Sequence, residues 1–297
     1  MAVPQPTDSH ISINGNSFHY RNWGGDGQAV ALVHGLASNC RIWDLVAPIL
    51  SQQFRVAAID QRGHGESFKP DTGYDFATVV SDLHSFMDAL EMSNPVIVGH
   101  SWGADVALEY AVAHPGLARG LCFVDGGSIE ISARPDWTLE DARREMAPPI
   151  WNGVTLDAFR ERMRTRWGLS LAPSPSRVRE VEQIVLANFD VNDDGTIASR
   201  LSRDNHLRII DALWDHKPSE LYSRVDCPVL LMPARQAGDT SPQARRWRRD
   251  ESIARAESLL PSARTVWMED SIHDVPIQRP ELVASTIADH ITGGFFG

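Results

Sequence analysis

Short apolar runs alternate with segments of helical periodicity in the first part of the chain, and this alternation constrains the fold most strongly. Ala29–Val33, Pro95–Val98 and Leu121–Val124 are apolar throughout, as expected of strands that are buried on both faces. Helical patterns at Phe76–Leu90 and Ala104–Ala113 lie between these runs. The alternation predicts an α/β fold with a mostly parallel central sheet and helices on both of its faces.

The alternation stops after residue 127. Residues 128–226 contain no buried strand run but carry helical patterns, such as the one at Leu139–Met146. Runs typical of strands return at Pro228–Met232 and Thr265–Met268, and a last helical pattern covers Leu282–Ile291. The chain is therefore expected to leave the sheet and to return to it about a hundred residues later.

We predict a core domain formed by residues 1–127 and 227–297, with a helical cap at residues 128–226. The cap, called the cap segment below, is inserted after the strand that ends at Asp125. Because ligands bind beyond the carboxyl ends of parallel strands, the loops that follow the strands are expected to meet at one rim of the sheet.

The charge and the N-terminus narrow the possible partners. A formal net charge of −11 argues against nucleic-acid binding and against electrostatic attachment to anionic membranes. The N-terminal residues MAVPQPTDSH lack the basic and apolar regions of a signal peptide, and no apolar run is long enough to span a bilayer. We expect a cytoplasmic protein that acts on a small molecule; its oligomeric state is left open.

Three cysteines occur, at Cys40, Cys122 and Cys227. An odd and sparse set of cysteines is not a disulfide framework. The sequence also lacks the Cys-x-x-Cys spacing that would indicate a metal or redox site. Cys122 and Cys227 stand in apolar runs and are expected to be small buried residues, and no metal is expected.

The pentapeptide GHSWG at residues 99–103 has the form G-x-S-x-G between a strand pattern and a helical pattern. Small residues two positions on either side permit a sharp, strained turn that presents the Ser101 hydroxyl above the sheet. A hydroxyl becomes a nucleophile when a nearby base accepts its proton. His273 is the candidate base, because it follows the last strand run and precedes the final helix.

Two backbone N–H groups are expected to face the negative charge that develops when such a serine attacks a carbonyl group. Trp102 directly follows the nucleophile at the start of a helix and supplies the first. Leu36, in the loop after His34 and Gly35, is expected to supply the second, since Gly35 allows close approach of the backbone.

The motifs LVHGLAS, AIDQRGHGES, GHSWGA, CPVLLMPAR and SIHDVP together resemble those of the α/β-hydrolase superfamily, in the same order along the chain. The resemblance covers nearly the whole chain outside the cap segment. It implies a triad of serine, histidine and an acid, a cap over the pocket and no cofactor. Trp102 and the tryptophans of the cap segment are candidates either for the wall of an apolar pocket or for the core, and the substrate is expected to have an apolar part.

The resemblance leaves two candidates for the acid that orients His273. Superfamily members usually place it in a turn after the strand that follows the cap, where Asp239 lies two residues later than expected. Other members place it after the preceding strand, where Asp125 stands before two glycines. Asp125 is the first candidate and Asp239 the alternative, and both keep the order serine, acid, histidine.

The reaction expected from these residues is hydrolysis of a carboxylic ester or lactone through an acyl-enzyme at Ser101. The same triad also serves thioester, amide and carbon–carbon bond hydrolysis. The alternative that is not an enzyme is a ligand receptor with the same fold. The serine argues against dehalogenase or epoxide hydrolase chemistry, for which members of the superfamily use an aspartate nucleophile.

Three further features are expected to be structural. The turn after Asp60 is predicted to be held by hydrogen bonds, and residues 190–195 resemble a calcium loop without its final glutamate. The basic run at residues 245–249 has acidic neighbours, which favours a solvated helix face. Trp43 is assigned to either the core or the pocket wall.

Overall fold

The structure is a computed structural model that describes residues 4–236 and 249–297, with only the backbone described at residues 166–169. Its strands are β1 (Thr7–Ile13), β2 (Asn16–Gly24), β3 (Ala29–Val33), β4 (Arg55–Ile59), β5 (Val96–His100), β6 (Gly120–Val124), β7 (Phe189–Val191), β8 (Ile197–Ser199), β9 (Val229–Met232), β10 (Ala234–Arg235), β11 (Ala263–Thr265) and β12 (Met268–Glu269).

Helices connect most of these strands. They are α1 (Ala47–Leu50), α2 (Phe76–Ala89), α3 (Trp102–Ala113), α4 (Leu139–Glu145), α5 (Leu156–Arg162), α6 (Gly168–Leu171), α7 (Val178–Leu186), α8 (Arg203–Asp215), α9 (Pro218–Leu221), α10 (Arg249–Leu259), α11 (Val275–Gln278) and α12 (Pro280–Thr292). None of the helices in the described part of the chain has the length and apolarity needed to cross a membrane.

Within the described residues, eight strands form the main sheet in the order β1-β2-β4-β3-β5-β6-β9-β11. The two pairings that involve β2 are antiparallel, and the others are parallel. The predicted α/β fold with a mostly parallel sheet is thereby confirmed. The register pairs Val33 with Gly99 and Val124 with Met232, so the carboxyl ends of these strands lie at one rim.

The sheet separates two layers of core, as its sequence pattern requires. In β3, Ala31 and Val33 pack on one face, whereas Val30 and Leu32 pack on the other. All five residues of this strand are buried, which is why the run shows no alternation of polar and apolar residues.

Two details at the edges of the sheet differ from the sequence prediction. The predicted strand at Thr265–Met268 is divided between β11, which pairs with β9, and β12, which pairs with β10. The edge strand β1 was not predicted, because its polar and mostly exposed residues lack the apolar run of a buried strand.

The cap segment contains α4 to α9 and the hairpin β7–β8, and its described residues add no strand to the main sheet. The calcium-loop-like residues 190–195 cover the end of β7 and the hairpin turn, in which Asp194 Oδ1 accepts hydrogen bonds from the Thr196 N–H and hydroxyl groups at 2.9 and 2.6 Å. A polar turn, as predicted, thus explains these acidic residues.

A buried histidine joins the cap segment to helix α3. His216, directly after α8, has no exposed side-chain surface, and its ring lies 2.9 Å from Glu109 Oε1 and 3.2 Å from Asp105 Oδ1. Burial lowers the pKa of His216, but the hydrogen bonds and charges of the two carboxylates outweigh this and raise the pKa to about 9. At neutral pH the cap segment is therefore held by a charged imidazolium.

This contact predicts a pH-dependent contribution to stability. The folded-state pKa of His216, about 9, exceeds the ordinary value of 6.5, so its contribution is complete below pH 6.5 and is lost as the pH rises through 9. The free energy of unfolding of His216→Gln is expected to lie on the order of 2 kcal/mol below wild type at pH 6.5. Urea unfolding should show this gap closing toward pH 9.5.

His10→Gln is the matched control, because His10 is exposed. Its unfolding free energy should follow that of wild type at both pH values. A gap for His216→Gln that stays constant between pH 6.5 and 9.5 would contradict a charged His216.

Candidate active site

Ser101 stands at the turn between β5 and α3 with backbone angles φ 52° and ψ −126°. This left-handed conformation is unusual for a residue with a side chain and aims the hydroxyl away from the sheet. A Cβ at Gly99 would collide with the carbonyl group of Gly103, and one at Gly103 would collide with the carbonyl oxygens of Val33 and His34. The glycines therefore allow the turn to exist.

Ser101, His273 and Asp125 form a continuous chain of hydrogen bonds. His273 lies between β12 and α11, and its Nδ1 is 2.6 Å from Asp125 Oδ2. Because a carboxylate only accepts hydrogen bonds, Nδ1 carries the proton. Nε2 then accepts a hydrogen bond from the Ser101 hydroxyl group, with 3.0 Å between the nitrogen and Oγ. The structure thus brings together three residues that are separated by up to 172 positions in sequence.

The environment sets the charges of this chain. Burial raises the pKa of Asp125, but the hydrogen bond from His273 and the nearby positive charges outweigh it, and the pKa falls below its usual value. For His273 the balance has the opposite sign: desolvation lowers the pKa, whereas the hydrogen bond and charge of Asp125 raise it above 6.5. Asp125 is thereby ionised at neutral pH, and His273 binds a proton more readily than a free imidazole.

Among the described residues, the Asp125 carboxylate has two further partners that the sequence did not indicate. The Ala234 N–H donates to its Oδ1 at 2.9 Å, and Arg249 Nη2 lies 3.0 Å from its Oδ2. The predicted solvated helix face is wrong for Arg249, whose side chain is 30% exposed and forms an ion pair with this carboxylate, and residues 245–248 of the basic run lie outside the described residues. The alternative acid, Asp239, lies outside the described residues.

The two backbone N–H groups proposed to face the oxyanion belong to residues at the rim beside Ser101. Neither Leu36 nor Trp102 donates its N–H to another residue within the described part of the chain. A hydrogen bond fixes the loop that carries Leu36, because the Ala37 N–H donates to His64 Nε2 at 3.2 Å. His64 belongs to the turn after Asp60, so this predicted structural turn supports the loop.

His100 is a neighbour of the site whose contact sequence reasoning did not find. Its Nε2–H donates to the carbonyl oxygen of His273 at 2.9 Å. Burial and the charge of His273 lower the pKa of His100 to about 4, so this ring stays neutral. It therefore ties the loop of His273 to the turn of Ser101, a contact between distant segments that no local pattern signals.

A cavity of about 550 Å³ opens over Ser101 and His273. The cap segment supplies much of its apolar wall, including Trp151, Phe159, Met163, Leu171 and Ile184. Polar groups are fewer and include His64, Arg200 and His206. The side chain of Trp43 is fully buried in the core and does not line the cavity, which decides between the two positions considered for it.

One cluster among the described residues has the composition of a metal site. Ligand atoms of His19, Cys40 and Asp60 lie within 4.8 Å of one another. The Asp60 carboxylate already accepts hydrogen bonds from His19 Nδ1, from the Cys40 N–H and from the Glu66 N–H at 2.6 to 2.9 Å. Burial raises the pKa of the Cys40 thiol well above its usual value, which opposes thiolate formation. These contacts describe a hydrogen-bonded support for the turn after β4.

Comparison with known proteins places this geometry in context. A family model described as alpha/beta hydrolase fold matches residues 28–221. The solved structure of E-2-(acetamidomethylene)succinate hydrolase superimposes with a TM-score of 0.75 over 97% of this chain and 100% of that chain. At 21% identity, that likeness bears on the fold alone.

Two curated relatives are similar over part of the sequence. The soluble epoxide hydrolase of Corynebacterium sp. (strain C12) is 35% identical over 119 residues, which is 40% of this chain and 41% of that protein. The 2-(acetamidomethylene)succinate hydrolase of Mesorhizobium japonicum is 35% identical over 101 residues, 34% of this chain and 36% of that protein. The matches thus span well under half the length of these relatives.

The geometry at Ser101 predicts that Gly103 tolerates no side chain. Gly103→Ala is expected to lower the free energy of unfolding by about 3 kcal/mol or more, because its Cβ would meet backbone that cannot move aside. Gly116→Ala is the control, because no heavy atom of the described residues lies within 4 Å of a Cβ at this position. Only the positive φ of Gly116 opposes the substitution, at about 1–2 kcal/mol. Urea unfolding of both variants compares them, and equal losses would refute the steric argument.

Proposed function

The chain belongs to the α/β-hydrolase family, and from this premise we propose that it is a serine hydrolase that cleaves a carboxylic ester or lactone of a small molecule through an acyl-enzyme at Ser101. The observation that carries the proposal is the hydrogen-bonded chain from Ser101 through His273 to Asp125, with atom separations of 3.0 and 2.6 Å. A hydroxyl within this distance of an imidazole nitrogen can transfer its proton as it attacks.

In the first half of the reaction, Ser101 Oγ attacks the acyl carbon while His273 Nε2 accepts the hydroxyl proton. Asp125 keeps the imidazole in the required tautomer and stabilises the imidazolium that forms. The carbonyl oxygen becomes an oxyanion, to which the N–H groups of Leu36 and Trp102 donate hydrogen bonds. His273 then protonates the leaving oxygen, and the bond between the acyl carbon and that oxygen breaks.

In the second half, water attacks the acyl-enzyme. His273 accepts a proton from the water as its oxygen bonds to the acyl carbon, and the same two N–H groups stabilise the second oxyanion. The bond to Ser101 Oγ then breaks, and His273 returns the proton to that oxygen. The products are the carboxylic acid and the alcohol, or a single hydroxy acid when the substrate is a lactone.

The substrate is a small molecule with an apolar part, and no cofactor takes part in the steps above. The mostly apolar wall of the cavity supports this assignment. The serine at position 101 favours acyl chemistry over epoxide or carbon–halogen cleavage, for which relatives in the superfamily use an aspartate. Residues 128–226 act as the cap that closes the site, while residues 1–127 and 227–297 carry the reacting groups.

A fluorophosphonate probe tests for an activated serine. Wild-type protein is expected to gain one adduct by intact mass, and Ser101→Ala none, because the probe reacts with the hydroxyl that His273 activates. Hydrolysis of responsive esters should fall by roughly four to six orders of magnitude in Ser101→Ala. A folded wild-type protein without adduct, beside a labelled control hydrolase, would refute the proposal and favour the ligand receptor.

The acid assignment has its own test in the pH dependence of kcat/KM. Protonated His273 cannot accept a proton, so activity should be lost as the pH falls through its raised pKa, above 6.5. Asp125→Asn is expected to lower the maximal kcat/KM by about 10³- to 10⁴-fold. It should also move the loss of activity at acidic pH, called the acid limb below, to lower pH. Asp239→Asn should leave both unchanged; the reverse pattern would make Asp239 the acid.

A further inference from the structure

Arg249 is a charged group that touches the site without belonging to the hydrogen-bonded chain. It begins helix α10 and reaches Asp125 Oδ2, the same oxygen that lies 2.6 Å from His273 Nδ1. Its Nη1 also donates to the carbonyl oxygen of Ala234 at 2.6 Å. One guanidinium thus spans the carboxylate and the strand segment that packs beside it.

We propose that Arg249 is a positioning residue of this site, which fixes the Asp125 carboxylate for His273 and limits how strongly that carboxylate favours protonated His273. The proposal rests on the proposed function, because the orientation of Asp125 affects the reaction only if Asp125 orients His273 in the triad. Its physical content is that a permanent cation shares the oxygen to which the catalytic base donates.

The first step concerns position. Asp125 Oδ1 accepts from the Ala234 N–H at 2.9 Å, while Arg249 binds the Ala234 carbonyl group and lies 3.0 Å from Oδ2. The carboxylate is therefore held at both oxygens by groups tied to one residue. A planar guanidinium presents several N–H groups in a rigid fork, which suits such a bridge better than the single ammonium of lysine does.

The second step concerns charge. Within the described residues, the titratable and charged groups that act on His273 are Asp125, Asp274 in its own loop, His100 from the turn of Ser101, and Arg249 from α10. His100 is neutral, so two carboxylates are opposed by one cation. Asp125 is 3% exposed, so solvent screens its interactions poorly. Without Arg249 the carboxylates would hold a proton on His273 more strongly, and less of the base would be free at a given pH.

The surroundings of Arg249 support this specific role. Within the described residues, Asp125 is its only carboxylate partner within 4.0 Å. The exposed acids nearby, Glu269 and Asp250, are paired with Arg235 instead, at 2.6 and 3.8 Å. Arg249 is therefore directed to the buried acid of the triad although exposed acids lie close by.

The test uses the full chain with Arg249→Gln and Arg249→Met, which remove the charge, and Arg249→Lys, which keeps it. Exposed Arg255, also in α10, provides the matched control Arg255→Gln. The rate of fluorophosphonate labelling is measured as a function of pH. In parallel, an NMR titration follows the imidazole of His273, identified by its loss in His273→Gln, so that one readout is independent of reactivity.

We expect the acid limb and the NMR midpoint to move to higher pH in the two neutral variants, with labelling on the limb reduced roughly threefold. Arg249→Lys should keep the wild-type midpoint but label more slowly at high pH, because the fork is lost. Arg255→Gln should match wild type. The upward shift separates this role from a purely structural one, since Asp125→Asn moves the same limb downward.

An unchanged or lowered midpoint in folded Arg249→Gln or Arg249→Met overturns the proposal. Circular dichroism verifies folding, and Arg249→Lys carries the test if neither neutral variant folds: a midpoint that moves although the charge is kept also overturns it. Wild-type protein that is not labelled at any pH would instead refute the proposed function, while the NMR titration would still decide the role of Arg249.

Discussion

The hydrogen bond between His273 Nδ1 and Asp125 is the interaction on which the site depends. At 2.6 Å it joins the loop after β12 to the end of β6, and it leaves Nε2 free to accept from Ser101. Asp125 stays ionised because the charges around it outweigh the cost of burial. The electrostatics of the site thus follow from one buried carboxylate and the groups that surround it.

That carboxylate is useful only because the sheet aligns its strand ends. The Ser101 N–H donates to the Val124 carbonyl at 3.0 Å, and the Asp125 N–H donates to the Met232 carbonyl at 3.1 Å, so neighbouring turns are stitched together at the rim. The strained backbone of Ser101 persists because the surrounding structure holds it in place. The main sheet thus positions Ser101 and Asp125, whereas the cap segment supplies much of the apolar wall of the cavity.

Much of this could be predicted from local patterns. The buried strands appear as apolar runs because both faces of a parallel sheet are covered. The pentapeptide GHSWG indicates its turn because a Cβ at Gly99 or Gly103 would collide with the backbone. The edge strand β1 and the division of Thr265–Met268 escaped prediction. Short or exposed strands carry little hydrophobic signal, and their pairing depends on neighbours that are distant in the chain.

The sequence by itself determined the fold class, a serine at a strained turn and a histidine late enough in the chain to reach it. Two acids satisfied the same order along the chain, so the sequence left the choice between them open. Only the tertiary structure placed Asp125 beside His273. Only the folded chain, too, directed Arg249 to the buried carboxylate, His100 to the His273 carbonyl and Trp43 to the core. Local backbone and packing requirements appear in short patterns, whereas contacts between residues more than a hundred positions apart are set by how the layers meet.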